Sequence, residues 1–212
     1  MPSASTLGVF VTATFLFLLI PGPAVMYIVT RGVTQGRRAG LVSVAGIHAG
    51  TLVHVAGAVL GLSAVLATSA AAFTVVKLAG AGYLVYLGVR ALVTRVADDA
   101  ELRLAPRSNR RLFVDGAVVN LLNPKTAVFF LAFVPQFVRP GAGDATTQLL
   151  VISTVYVAMG LVTDGGWAVA SGWFGARLRH RGDVTRRAQR ASGVVYIALG
   201  AVTAVTGRHP SA

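Results

Sequence analysis

Apolar residues run through this chain in long blocks, near 6–30, 40–67, 71–93, 112–138, 147–175 and 191–207, separated by shorter polar stretches. A bilayer core about 30 Å thick takes about 20 residues of helix. The pattern therefore predicts an all-α protein of six membrane-spanning helices, the longest of them tilted or continuing past the hydrocarbon. No Lys or Arg precedes the first block and no small-residue cleavage site follows it, so it is expected to stay as a membrane helix.

Composition strengthens that reading. Of the 212 residues 55% are hydrophobic and only 12% charged, with a mean hydropathy of +0.71, whereas soluble domains carry about 25% charged residues. The net charge of +12 does not point to nucleic acid, because the arginines cluster between apolar blocks and no aromatic residues interleave with them as a stacking surface would require. The chain has no cysteine, which removes disulfides, thiolate metal sites and thiol relays. No HExxH or GxSxG signature supports a hydrolase. KLAGAGYLVYLG, Lys77–Gly88, lacks the strand and the GKS or GKT ending of a phosphate loop. No enzyme activity, cofactor or metal is expected.

Arginine sets the orientation. Arg31, Arg37 and Arg38 lie between spans one and two; Arg90, Arg95, Arg103, Arg107, Arg110 and Arg111 between three and four; Arg177, Arg179, Arg181, Arg186, Arg187 and Arg190 between five and six. The alternate side carries only Lys77, Arg139 and Arg208. The positive-inside rule then makes the arginine loops cytoplasmic and both termini external. Six spans divided three and three start from opposite sides, so the chain 1–212 is expected to be one transporter domain of two inverted repeats, about 6–93 and 112–207, joined by a cytoplasmic linker at about 94–111. Inverted repeats with interrupted helices are a common secondary-transporter design.

Two interruptions fit that design. LLIPGPAVM, Leu18–Met26, sets Pro21, Gly22 and Pro23 inside span one, and VVNLLNPKTAVFF, Val118–Phe130, sets Asn120, Asn123, Pro124 and Lys125 inside span four. Proline in a helix interior costs about 3 kcal/mol, and in a membrane its freed carbonyls must face protein or a water-filled cavity. The ends of broken helices offer amides to a carboxylate and carbonyls to an ammonium, so crossed breaks suit an amino acid; a packing kink is the alternative for each proline. Lys125 would face the interior with a partner or snorkel to the surface. Asp164, in the middle of span five, is the candidate partner, on a stripe with Tyr156, Gly160, Thr163, Trp167 and Ser171. Asp164 could couple transport to protons or form an inert ion pair. In span two, Gly46, Gly50, Gly57 and Gly61 form a close-packing seam. His54 falls beside it as a proton carrier or a structural hydrogen bonder, while His48 points elsewhere on the wheel.

These residues also carry a resemblance. The chain resembles the LysE/RhtB family of amino-acid exporters over nearly its whole length, through LLIPGPAVM, GIHAGTLVH, KLAGAGYLVYLG, NLLNPKTAVFFLAFVPQF, the Asp164 position and ASGVVYIALG. It looks closer to the RhtB branch, associated with homoserine, homoserine lactone and threonine efflux. The resemblance implies an inner-membrane, dimeric exporter driven by the proton gradient. A cation or heavy-metal exporter of the same superfamily is the alternative, poorly served by a chain with no cysteine and few histidines. The expected substrate site comprises Pro21, Gly22, Pro23, Asn120, Asn123, Pro124, Lys125, Tyr156 and Trp167, with Asp164 and His54 for proton coupling.

Overall fold

The computed structural model describes residues 3–62, 106–139 and 143–178, with isolated helical positions at 75, 78, 82, 85, 86, 89, 93, 197 and 201. Apart from those positions, the third and sixth expected spans and ASGVVYIALG lie outside the described residues, as do Lys77 and most of the linker. Every regular element among those described is helical: α1 (Ala4–Leu19), α2 (Pro23–Gln35), α3 (Arg37–Gly57), α4 (Asn109–Leu121), α5 (Pro124–Val128) and α6 (Ala145–Leu178). A π-helical turn at Ala58–Leu62 extends α3, and a π-helical turn at Phe129–Phe133 and a 3-10 turn at Val134–Phe137 extend α5.

Among the described residues, two helices are long and apolar enough to cross a bilayer, Arg37–Gly61 and Ala145–Trp173. The expected breaks are present in the other two: α1 and α2 meet at 50°, and α4 and the α5 segment to Phe137 at 48°. With 34 residues, α6 is about 51 Å long at 1.5 Å per residue, so it continues well past the hydrocarbon.

The helices outrun the apolar blocks at their arginine ends. Arg31 belongs to the last turns of α2 and is buried, its guanidinium 5.5 Å from the Tyr27 ring; Arg110 and Arg111 belong to the first turn of α4. What reads as a cytoplasmic loop around Arg31 and Arg37 is a single residue, Gly36, between α2 and α3. Its φ of +84° is a backbone conformation glycine adopts without a steric penalty.

Polarity is distributed as lipid demands. Leu60, Leu122 and Val162 are about three-quarters exposed, while Asn120, Asn123, Lys125, His48 and Asp164 are buried. The main apolar core is aromatic, with Phe10, Phe17, Phe129, Phe130, Phe133 and Tyr156 in one cluster; Phe17 and Tyr156 each approach Phe129 with ring centroids 4.6 Å apart. A second, smaller core joins Ile28, Val44, Ile47 and Ala168, with Trp167 packed against it.

Of the four glycines expected to form a seam on span two, Gly46 and Gly50 do so, and among the described residues nothing lies within 4 Å of a methyl at Gly57 or Gly61. A methyl at Gly46 would collide with the Phe113 carbonyl, one at Gly50 would sit 2.6 Å from the Ala117 carbonyl oxygen, and one at Gly116 would sit 3.0 Å from that of Ser43. Backbone thus lies directly on backbone where α3 crosses α4.

Candidate functional site

The break in the first helix follows from two X-Pro steps set two residues apart. A residue before proline is driven out of the helical region by clash with the proline ring, and both such residues are extended: Ile20 at φ −75°, ψ 117° and Gly22 at φ −106°, ψ −170°. Asn123, before Pro124, is extended as well, at φ −78°, ψ 108°. The sequence counts Pro23 and Pro124 as interior prolines; in the structure each is the first residue of a new helix. There the missing N–H has no intrahelical partner to lose and the fixed φ is already helical, so the interruptions carry no interior-proline penalty.

Breaking a helix leaves carbonyls without partners at the end of one piece and amides at the start of the next. Lys125 resolves the first of these. Its Nζ donates to the carbonyl oxygens of Phe17, at 2.8 Å, and Ile20, at 2.6 Å, and stands 4.5 Å from the Phe17 ring centroid. Asn123 resolves part of the second, its Oδ1 accepting from the Lys125 backbone N–H at 3.1 Å to cap α5. At α2 the cap position is Gly22, with no side chain to bond the first-turn amides.

Asn120 ties the second break to α3. Its Nδ2 donates to the Ile47 carbonyl at 2.9 Å and to Thr51 Oγ1 at 2.8 Å, while its Oδ1 accepts from Asn123 Nδ2 at 3.2 Å and Thr126 Oγ1 at 2.9 Å. An amide offers two donors and two acceptor positions, and all four are filled. The Asn120 carbonyl, at the end of α4, accepts from His54 Nε2 at 2.9 Å.

The carboxylate of Asp164 meets His48, with Nε2 to Oδ2 at 3.2 Å, both side chains buried. This corrects the sequence reading of His48, which lies 200° from Gly46 on an ideal wheel and so seemed to point away from the site. The seam faces α4, whereas the opposite side of α3 faces α6; a helix in the middle of a bundle has more than one interior face. Gly160, one turn before Asp164, makes the approach possible, since a methyl there would lie 2.8 Å from His48 Cε1. His48 Nδ1 is buried with no hydrogen-bond partner among the described residues.

A small cavity, about 30 Å³, lies between these groups, enough for two or three waters at about 10–15 Å³ each. Its wall includes Gly22, Ala24 and Val25 from the start of α2, His48 and Thr51 from α3, Asn120, Asn123, Lys125 and Thr126 from the second break, and Tyr156, Gly160 and Asp164 from α6. Of the residues expected at the site, Gly22, Asn120, Asn123, Lys125, Tyr156 and Asp164 are brought together here. Pro21, Pro23 and Pro124 shape the breaks without being part of that wall, and Trp167 packs against the second apolar core. His54 stands behind Asn120, its ring parallel to that of Phe130 at 6.4 Å. Sequence reasoning missed Thr51 and Thr126; the available signal for Thr51 was its place one turn after His48 on the same face.

Lys125 and Asp164 share the cavity and interact electrostatically, but the hydrogen bonds described for the ammonium go to the backbone of the first break. Among the described residues no group of three His, Cys, Asp or Glu side chains could hold a metal ion. The two breaks and α6 thus set the start of α2, the Lys125 ammonium and the Asp164 carboxylate around one small space.

Residues 15–207 match the family model described as LysE type translocator. The chain is similar to a homoserine/homoserine lactone efflux protein of Salmonella typhimurium, 29% identical over 92% of this chain and 93% of that protein. It is 31% identical to an uncharacterized membrane protein of Vibrio cholerae over 81% of this chain and 83% of the other. A leucine efflux protein of Enterobacter sp. is 29% identical over 68% and 69% of the two chains. No solved structure matches.

Proposed function

We propose, from the premise that this chain belongs to the LysE type translocator family, that it exports amino acids or small amino-acid derivatives from the bacterial cell and catalyses no bond chemistry. It is a multi-pass membrane protein, working in the inner membrane with both termini outside and its arginine-rich ends in the cytoplasm. The observation that carries the reading is the apposition of two broken helices around a buried cavity holding one lysine and one aspartate. Its substrates are of the homoserine, homoserine lactone, threonine or leucine type, a reading supported by related proteins named for efflux of homoserine, homoserine lactone and leucine.

The cycle is alternating access driven by proton antiport. The cavity is too small for an amino acid, which supports a closed form that must open to load and again to release. Asp164 is the proton carrier, with His48 on α3 as its partner; Lys125 from α5 and Tyr156 from α6 are the other ionisable groups around it. Six spans in two inverted repeats remain the architecture we propose for the whole chain.

Cells expressing the chain, challenged with a panel of amino acids, lactones and dipeptides, should tolerate and expel at least one of these classes better than cells without it. No difference for any of them would reject the reading. In proteoliposomes Asp164→Asn should reconstitute normally yet lose pH-gradient-driven export; coupled export at the wild-type rate would remove Asp164 as the proton carrier.

A further inference from the structure

We infer that Lys125 is a tethered occupant of the substrate's own ammonium site: it fills the carbonyl pair at the end of α1 when the carrier is empty and yields that pair to the substrate's α-amino group. The inference rests on the export reading and adds how the substrate is seated. Three features of the first break make an ammonium site. The Phe17 and Ile20 carbonyl oxygens converge on one nitrogen at 2.8 and 2.6 Å, distances typical of a charge-assisted hydrogen bond. The Phe17 ring lies 4.5 Å from that nitrogen, within the range in which an aromatic face attracts a cation. The carbonyls are the last ones of a helix, carrying the negative end of its dipole.

A primary ammonium on a flexible chain is chemically the same group as the amine end of an amino acid. What differs is that Lys125 arrives from the opposite break and lines the same cavity as Gly22, His48 and Asp164. Displaced from the carbonyls, its ammonium stays inside that cavity, where the substrate's carboxylate or Asp164 is the nearest anion to take it up. Loading is then an exchange of one ammonium for another at the first break, with Lys125 moving onto the substrate's anionic end. The buried carbonyls are never left bare, a state that would forfeit their hydrogen bonds in a medium without water.

This makes Lys125 a specificity residue with two opposed effects. It assists ligands that bring a carboxylate and competes with those that bring only an ammonium. Homoserine and homoserine lactone separate the effects, because the lactone keeps the amine and has no carboxylate. The test uses purified full-length protein at mildly acid pH, which keeps the lactone's amine protonated. Lys125→Met should shift the ratio of affinities at least about tenfold toward the lactone, the range of one charge-assisted hydrogen bond. Lys125→Gln, which still supplies N–H donors to Phe17 and Ile20, should shift it in the same direction and covers the case in which the Met variant does not fold. Equal losses for both ligands, or no change in their ratio, would overturn the inference. The wild type gives an independent reading: homoserine lactone should raise labelling of Lys125 by an amine-directed reagent, followed by peptide mass, and the N-acetylated lactone should not. Labelling unchanged by the free lactone would also overturn it. If the wild type binds neither probe and exports no member of the panel, the export reading fails instead.

Discussion

Gly160→Ala is the sharpest probe of the buried His48–Asp164 contact, because it adds one methyl and touches neither partner's chemistry. The new carbon would stand 2.8 Å from His48 Cε1, against about 3.5–4.0 Å for a comfortable carbon–carbon contact. The imidazole must therefore retreat from α6 by roughly 0.7–1.2 Å. Its hydrogen bond to Asp164 starts at 3.2 Å, and a retreat of that size opens it to about 4 Å, past the useful limit. Losing a hydrogen bond to a charged group is worth about 1.5–3 kcal/mol, or roughly 10–150-fold in an equilibrium constant. Export by proteoliposomes across a range of imposed pH gradients should then fall at least about tenfold and lose its wild-type pH profile. Gly165→Ala and Gly166→Ala are the controls: they lie on the same helix with nothing among the described residues within 4 Å of an added methyl, and should leave both rate and profile intact. A wild-type profile from Gly160→Ala, or an equal loss from either control, would refute the assignment of this pair to proton coupling.

Asn120→Asp should be among the most damaging single changes, since a carboxylate cannot donate to the Ile47 carbonyl or to Thr51; a loss of about 2–6 kcal/mol over two buried partners should appear as poor recovery from detergent and a lowered melting temperature. Pro124→Ala lifts the steric bar at Asn123 and Pro23→Ala the one at Gly22, with Pro21 still barring Ile20, so both should fold and be inserted normally while export falls; wild-type efflux from both would dissociate the breaks from transport. Asp144 caps α6 outside the membrane, where hydrogen bonds from the Thr147 backbone N–H and hydroxyl hold its carboxyl below the usual range. A depressed carboxylate stabilises the fold above its unfolded value and loses that contribution as pH falls through its folded one. Asp144→Ala should accordingly give a small drop in melting temperature at neutral pH that shrinks below the ordinary carboxylate range, and a constant difference at all pH values would contradict the cap.

Local rules made the breaks legible. Ile20, Gly22 and Asn123 each precede a proline, and the steric consequence is the same in any surroundings, so LLIPGPAVM and NLLNPK announce where the helices part. The burial of Lys125 and Asp164 was legible too, because charge in an apolar block has few places to go. Partners were not legible. An ideal wheel describes one helix in isolation, and it hid His48 behind the glycine seam because it cannot say how many neighbours α3 has. The same limit left Lys125 matched to Asp164 by charge alone, when the backbone carbonyls of a broken helix are equally good acceptors and appear in no side-chain inventory. Arg31 was assigned to a loop because charge was read as exposure; its stem and its place over Tyr27 keep it in α2.

The glycine contact of α3 with α4 has a consequence for how the molecule can move. α3 belongs to the first half of the chain and α4 to the second, yet Gly46, Gly50 and Gly116 bring their backbones together, and Asn120 and His54 bolt them further. Two halves swinging past each other as separate bodies would have to shear that joint. That joint ties the first half of the chain to the second, and the kinks at residues 20–22 and 122–123 are where neighbouring helix pieces already meet at an angle. A piece that turns as one body in this fold need not be a continuous half of the sequence.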